Sequence, residues 1–125
     1  MAPTSNEIRA NLLRGGVVDI TTTGRKTGKP RRIEIRLHVV DGQLYLTAAP
    51  GKRSWYANLL ANPDFKVHLK NTVIADLAAY ARPVLDEDER QRTFSPLLEL
   101  FGKPEELETR MRDSPLVHVS VEIPA

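Results

Sequence analysis

Apolar and polar positions alternate with a period of two over much of the chain, interrupted by short stretches of helical spacing. Ile8, Leu12 and Leu13 share one side of a helix over 7–14, which Gly15-Gly16 stops. The β-branched run 17–23 reads as a strand, and the glycines and Pro30 of GRKTGKP read as a turn. Over 31–40, Ile33, Ile35, Leu37 and Val39 fall on one face and Glu34, Arg36 and His38 on the other. Asp41-Gly42 is a strong hairpin signal, so 43–49 is the returning strand. A loop at 50–52 leads into a helix over 54–61, with Ser54 as its expected N-cap and Asn62-Pro63 as its stop. Strands are expected at 65–70 and 73–81, joined near Asn71, and a last one at 116–123.

Between these strands, Asp86 and Glu89 are spaced as a capping box for a helix over 86–93. Pro96 is expected to break that helix and to open another behind a Ser95 cap, with Phe94, Leu97, Leu98 and Phe101 as a buried stripe. Pro104 opens a further short helix over 104–111. Six strands without strand–helix–strand alternation disfavour a doubly wound sheet and favour a small antiparallel barrel flanked by short helices. The 125 residues are expected to form a single domain, with 15–83 as the barrel core and 84–125 supplying flanking helices and the last strand.

Composition narrows the chemistry. With no cysteine there is no disulfide, thiol nucleophile or thiolate metal site, so redox chemistry requires a bound cofactor. The three histidines lie far apart in sequence, which argues against a metal centre. No apolar run is long enough to span a membrane, and the first sixteen residues lack a secretory pattern. A cytoplasmic location is therefore expected, with at most peripheral membrane contact. Residues 1–83 hold 13 basic and 6 acidic side chains, whereas 84–125 hold 5 basic and 10 acidic. Arg25, Lys26, Lys29, Arg31, Arg32 and Arg36 concentrate the positive charge within twelve residues. Glycines that expose amides, threonine hydroxyls and cations together suit phosphate or carboxylate oxygens. The spacing is not that of a Walker loop. No aromatics interleave with the cations, so nucleic acid is not the expected partner. Trp55 reads either as a core anchor or as the wall of a cofactor cavity. Asn58, one turn beyond Ser54, is placed to hold the polar loop preceding it.

The run TTTGRKTGKPRR, the DG hairpin and WYANLLANP together resemble the deazaflavin (coenzyme F420)-dependent nitroreductase and quinone reductase family over residues 15–83. The resemblance implies a split β-barrel of the flavin-reductase and pyridoxamine-phosphate-oxidase-like type. It also implies transfer of a hydride from reduced F420 to a small electron-poor acceptor such as a quinone or enone. Arg25, Lys26, Thr27, Gly28 and Arg31 match the family's contacts to the cofactor's phosphate and glutamate tail. Ile33, Glu34 and Ile35 match the strand along the deazaflavin. Ala48, Ala49, Pro50 and Gly51 match the loop at its pyrimidine edge or ribityl chain, with Lys52 or Arg53 as a second phosphate contact. Trp55 and Asn58 match the helix start that follows. Tyr56, Arg36 and His38 become substrate-pocket candidates, and the last two imply a polar, anion-tolerant pocket. Tyr45, Tyr56, Tyr80 and His38 are unranked candidates for the proton donor, and no catalytic side chain is assigned. FMN is the lesser cofactor alternative, and a homodimer is compatible with the resemblance. The competing reading is a non-enzymatic barrel that binds a flavin, haem or fatty acyl ligand.

Overall fold

A computed structural model describes residues 2–125. Helix α1 (Ser5–Arg14) is followed by strands β1 (Gly16–Thr23), β2 (Pro30–Val40) and β3 (Gln43–Thr47). Helix α2 (Ser54–Ala61) leads to β4 (Asp64–Lys70) and β5 (Ile74–Pro83). Helix α3 (Glu87–Phe101), a 3₁₀ turn (Pro104–Glu106) and α4 (Leu107–Asp113) precede β6 (Leu116–Val121). The six strands pair antiparallel around a closed barrel in the order β1-β2-β3-β6-β5-β4. This is the small antiparallel barrel expected from the alternation, and it agrees with the split β-barrel that the resemblance implies. At the β2–β3 hairpin, Asp41 and Gly42 both have positive φ, 51° and 71°, as a tight two-residue turn requires.

Alternation sends Val18 and Ile20 of β1, Val67 and Leu69 of β4, and Leu77 and Ala79 of β5 into the barrel. Leu44, Leu46, Val117 and Val119 complete the far wall, and α2 closes the lumen with Trp55 and Leu59. A second apolar layer lies outside the barrel. There α3 presents Phe94, Leu97 and Leu98 to Val40, Tyr45, Val84 and Leu116.

Several local expectations are corrected. Pro96 does not break α3, and Ser95 caps nothing, because one helix runs through both. Pro96 lies on the exposed side of α3, where the Arg92 carbonyl left without its helical N–H partner belongs to an equally exposed residue. Phe101 is half-exposed and outside the buried stripe. Residue Ser54 is the first residue of α2 and not its cap; Arg53 takes the cap position without a side-chain bond. Only half of the box at Asp86 forms. Asp86 accepts from the Glu89 amide at 2.9 Å, but the Glu89 carboxylate is held by both guanidinium nitrogens of Arg82 at 3.0 and 2.8 Å. The reciprocal box is at α1, between Thr4 and Glu7.

Ile33 faces the same way as its core partner Ile20 yet is half-exposed. The reason is strand length. β3 pairs only with the His38–Val40 end of β2, so the first half of β2 has β1 alone as its neighbour and overhangs the barrel. Glu34, which the resemblance puts on the strand along the deazaflavin, is joined to Lys70. The Lys70 ammonium bonds Glu34 and, at 2.7 Å, Asp19, which Arg32 also holds at 3.0 Å.

Candidate functional site

The basic turn between β1 and β2 is tightly closed. The Gly24 amide donates to Lys29 O and the Gly28 amide to Gly24 O, both at 2.8 Å. A Cβ on Gly24 would lie 2.9 Å from Thr27 Oγ1, and Gly28 sits at φ +71°, so both positions suit glycine. The turn is anchored from below by α2. Asn58, itself buried, accepts the Arg25 amide at 3.1 Å and the Arg25 guanidinium at 3.3 Å through Oδ1. Its Nδ2 donates to Thr22 Oγ1 at 3.1 Å. Asn58 was expected to hold the loop before α2; it holds the β1–β2 turn instead. Among the described residues the amides of Lys26 and Thr27 have no protein acceptor, and both residues are exposed.

Between this turn and the start of α2 lies a cleft of about 390 Å³. Arg25, Lys26 and Arg31 bring three cations to it, and no carboxylate lines it. Thr22, Thr27, Ser54 and Asn58 add hydroxyl and amide groups, while Ile33 and Trp55 form apolar walls. An anion-bearing ligand with a flat apolar portion fits this donor set: nothing repels the charge, and the indole and isoleucine offer surface to a ring. Trp55 serves as both core anchor and cleft wall, being 8% exposed. Thr22, Gly24 and Ser54 were not foreseen as lining residues.

The remaining candidates lie elsewhere. Gly28, Glu34 and Ile35 do not line this cleft, nor does the 48–53 segment. Arg53 folds back on that segment, donating to Ala49 O at 3.1 Å and Lys52 O at 3.0 Å, so its guanidinium shapes the loop. The loop turns at Gly51, whose φ of +126° disfavours any side chain and whose amide donates to Asp113 O at 3.1 Å. Pro50, Gly51 and Lys52 instead border a second cleft, of about 1130 Å³, whose other wall is α3 and α4. Consecutive aromatics on α2 divide between the two: Trp55 lines the first and Tyr56 the second, their rings edge-on with centroids 6.0 Å apart.

Two buried arginines, unremarked in the sequence, frame the second cleft and the ground beside it. Arg90 of α3 donates to the carbonyls of Val84, Arg110, Met111 and Ser114 at 2.7–3.1 Å and lies over the Phe94 ring at 5.2 Å. Burial without a carboxylate partner lowers its pKa. Arg110 of α4 bonds Ala48 O at 3.1 Å and Glu106 at 3.2 Å. Their only signal in the sequence is a basic position inside an otherwise apolar helical stripe.

Arg36 and His38 line neither cleft. Arg36 is exposed; His38 tilts against Phe101 at 5.5 Å, and burial, then the charges of Arg36 and Arg110, push its pKa down to about 4. An imidazole held neutral at pH 7 has no proton ready to donate. Of the tyrosines, Tyr45 is buried in the outer layer and Tyr80 is exposed on β5, leaving Tyr56 on a cleft. His68 bonds Thr21 Oγ1 at 2.7 Å and Asp76 at 2.6 Å in a cross-strand ladder. Among the described residues no cluster of side chains suits a metal ion, and no helix is long and apolar enough to cross a membrane.

Comparison with known proteins places this architecture. A conserved hypothetical protein of Mycobacterium tuberculosis superposes with a TM-score of 0.71 at 17% identity, covering 98% of this chain and 82% of that one. A putative pyridoxamine 5′-phosphate oxidase of Listeria innocua gives 0.71 at 14% identity, over 94% and 93%. Both likenesses concern the fold. A solved F420-H2 dependent reductase is 28% identical, covering 85% of this chain and 93% of that one, with a TM-score of 0.58. The sequence profile of the F420H(2)-dependent quinone reductases matches residues 4–121, from the cap of α1 to the end of β6. The chain belongs to the F420H(2)-dependent quinone reductase family.

Proposed function

We propose that this protein is a reductase that binds reduced coenzyme F420 and passes its hydride to a small electron-poor acceptor such as a quinone. The observation that carries the reading is the cleft beside the basic turn, with three cations, no carboxylate and a Trp55–Ile33 wall. Reduced F420, when bound, supplies the hydride from its deazaflavin ring. The chain supplies the rest. Arg25, Lys26 and Arg31 are placed to hold the phosphate and carboxylates of the cofactor tail, and the unpaired amides of Lys26 and Thr27 add neutral donors. Asn58 keeps the turn in place before any ligand arrives, which reduces the ordering that binding must impose. Trp55 and Ile33 would offer the ring an apolar surface to lie against.

Purified protein mixed anaerobically with reduced F420 and menadione tests this. The account expects protein-dependent return of the oxidised cofactor's visible absorbance, abolished when menadione is omitted. Absence of protein-dependent oxidation across quinones and enones, with tight retention of FMN instead, would overturn it.

A further inference from the structure

The outer face of β1, β4 and β5 carries side chains that the cofactor cleft does not use. Thr21 and Thr22 are consecutive in β1, so they point to opposite faces; Thr22 lines the cleft and Thr21 turns away from it. On the outer face His68 of β4 lies between Thr21 and Asp76 of β5. Its Nε2 is 2.7 Å from Thr21 Oγ1, and its Nδ1 is 2.6 Å from Asp76 Oδ1. The His68 bond, and behind it the charges of His68, Arg32 and Lys66, hold the Asp76 carboxyl below its ordinary range. An ionised carboxylate only accepts, so Nδ1 carries the proton. In the neutral ring Nε2 is then bare and accepts from the Thr21 hydroxyl.

Hydroxyl, imidazole and carboxylate thus stand in the order of a nucleophile, its base and the group that orients the base. No second carboxylate competes for the ring. Asp19 is opposite His68 in register, but Lys70 and Arg32 hold its carboxylate. The imidazole is buried, Thr21 is partly exposed and Asp76 is exposed. Register also gives Thr21 two cationic neighbours on its own face, Arg32 across β2 and Lys66 across β4. Both are exposed. Among the described residues Lys66 has no hydrogen-bond or ion-pair partner, and Arg32 commits only its Nε, to Asp19. An anionic group arriving at Thr21 therefore meets two available charges.

We infer that Thr21 is a nucleophile, activated by His68 and Asp76, that takes an acyl group from a donor whose phosphate leaving group is held by Lys66 and Arg32. Thr21 Oγ1 bonds to the donor's carbonyl carbon as its proton passes to His68 Nε2. The bond from that carbon to the phosphate oxygen breaks, and the departing phosphate takes the proton from Nε2. The products are a threonyl ester and free phosphate, and nothing is oxidised or reduced. The inference is independent of the cofactor reading, whose cleft lies on the other face of β1.

The test incubates the full chain with acetyl phosphate and maps acetyl groups by tandem mass spectrometry of its peptides. Acetyl-lysine reports reagent exposure in every variant, and hydroxylamine removes the ester alone. Thr23, two residues on in β1 and without a histidine bond, is the internal comparison. Thr21 should be acetylated in preference to Thr23. His68→Gln should slow this at least about 100-fold, the lower end for a positioned base. Asp76→Asn, at an exposed position, should slow it at least about tenfold, and it keeps the test readable if His68→Gln does not fold. Lys66→Ala should slow the reaction with acetyl phosphate but not with p-nitrophenyl acetate, whose leaving group carries no phosphate. Absence of an ester on Thr21 in the wild type, or equal labelling of Thr21 and Thr23, would overturn the inference. So would undiminished labelling in His68→Gln or Asp76→Asn, as when the ladder only joins three strands. An equal effect of Lys66→Ala on both reagents would overturn the choice of donor.

Discussion

The side-chain oxygen of Asn58 accepts the main-chain amide of Arg25 at 3.1 Å, tying the middle of α2 to a turn 33 residues earlier in the chain. One buried amide thereby positions a cation and, through Thr22, the strand that carries it. Asn58→Ala removes these bonds and leaves the buried Thr22 hydroxyl unpaired. Stability should fall by about 1–3 kcal/mol, read from urea midpoints at constant slope. F420 affinity should fall as well, although Asn58 carries no charge, because the turn is no longer held.

Arg90 presents a different case, a buried guanidinium with main-chain acceptors and no carboxylate. Arg90→Met keeps an apolar stem near Phe94 but removes the guanidinium donor from four carbonyls, of which that of Arg110 keeps the Ser114 amide. The expected loss is at least about 3 kcal/mol, checked by urea unfolding. Arg90→Lys should recover little of it, since an ammonium cannot reproduce the planar fork.

Pro96 sits within α3 with its missing hydrogen bond on the solvent side. Pro96→Ala should therefore leave the fold intact and raise stability by about 1–3 kcal/mol, measurable as a higher Tm. A helix that truly ended at Ser95 would show little gain.

His38 sets a pH dependence. Its pKa is about 4 in the fold against 6.5 for the free side chain, with burial the larger cause and Arg36 and Arg110 the next. The unfolded chain then binds more protons between these values, so stability rises with pH across the window. The contribution is fully present above about pH 6.5 and is lost as pH falls toward about 4. His38→Gln should flatten this part of a urea-midpoint profile. His118, shifted in the same direction, keeps its share of the slope in the variant. Asp19, Asp76 and Glu89, whose pKa values are lowered by their partners, lose theirs at lower pH still.

The barrel was legible because its signals are local. Alternation in 31–40, the Asp41-Gly42 turn and the Asn62-Pro63 stop each act over a few residues, and each element formed where its pattern lay. The turn at 24–29 was legible for the same reason: its glycines and cations are contiguous. What was hidden depends on pairs distant in sequence. Ile33 is exposed only because β3 is too short to cover β2, which no property of Ile33 announces. Lys70 joins Asp19 and Glu34 across three strands. Arg90 and Arg110 find their acceptors only where α3, α4 and the segment around Ala48 meet. The Pro96 break failed because the rule for proline ignores which face of the helix bears the unpaired carbonyl.

The central claim is that the basic turn reads the charged tail of F420. Equilibrium titration of F420, and of its precursor lacking phosphate and glutamates, against wild type and a Lys26→Ala, Arg31→Ala double variant tests it most directly. Each charge-assisted bond is expected to contribute about 1.5–3 kcal/mol. Wild type should bind F420 at least about tenfold more tightly than the precursor, one factor of ten being about 1.4 kcal/mol. The double variant should lose most of that preference while binding the precursor as before. Equal affinity of wild type for both ligands, or equal weakening of both in the variant, would contradict the account.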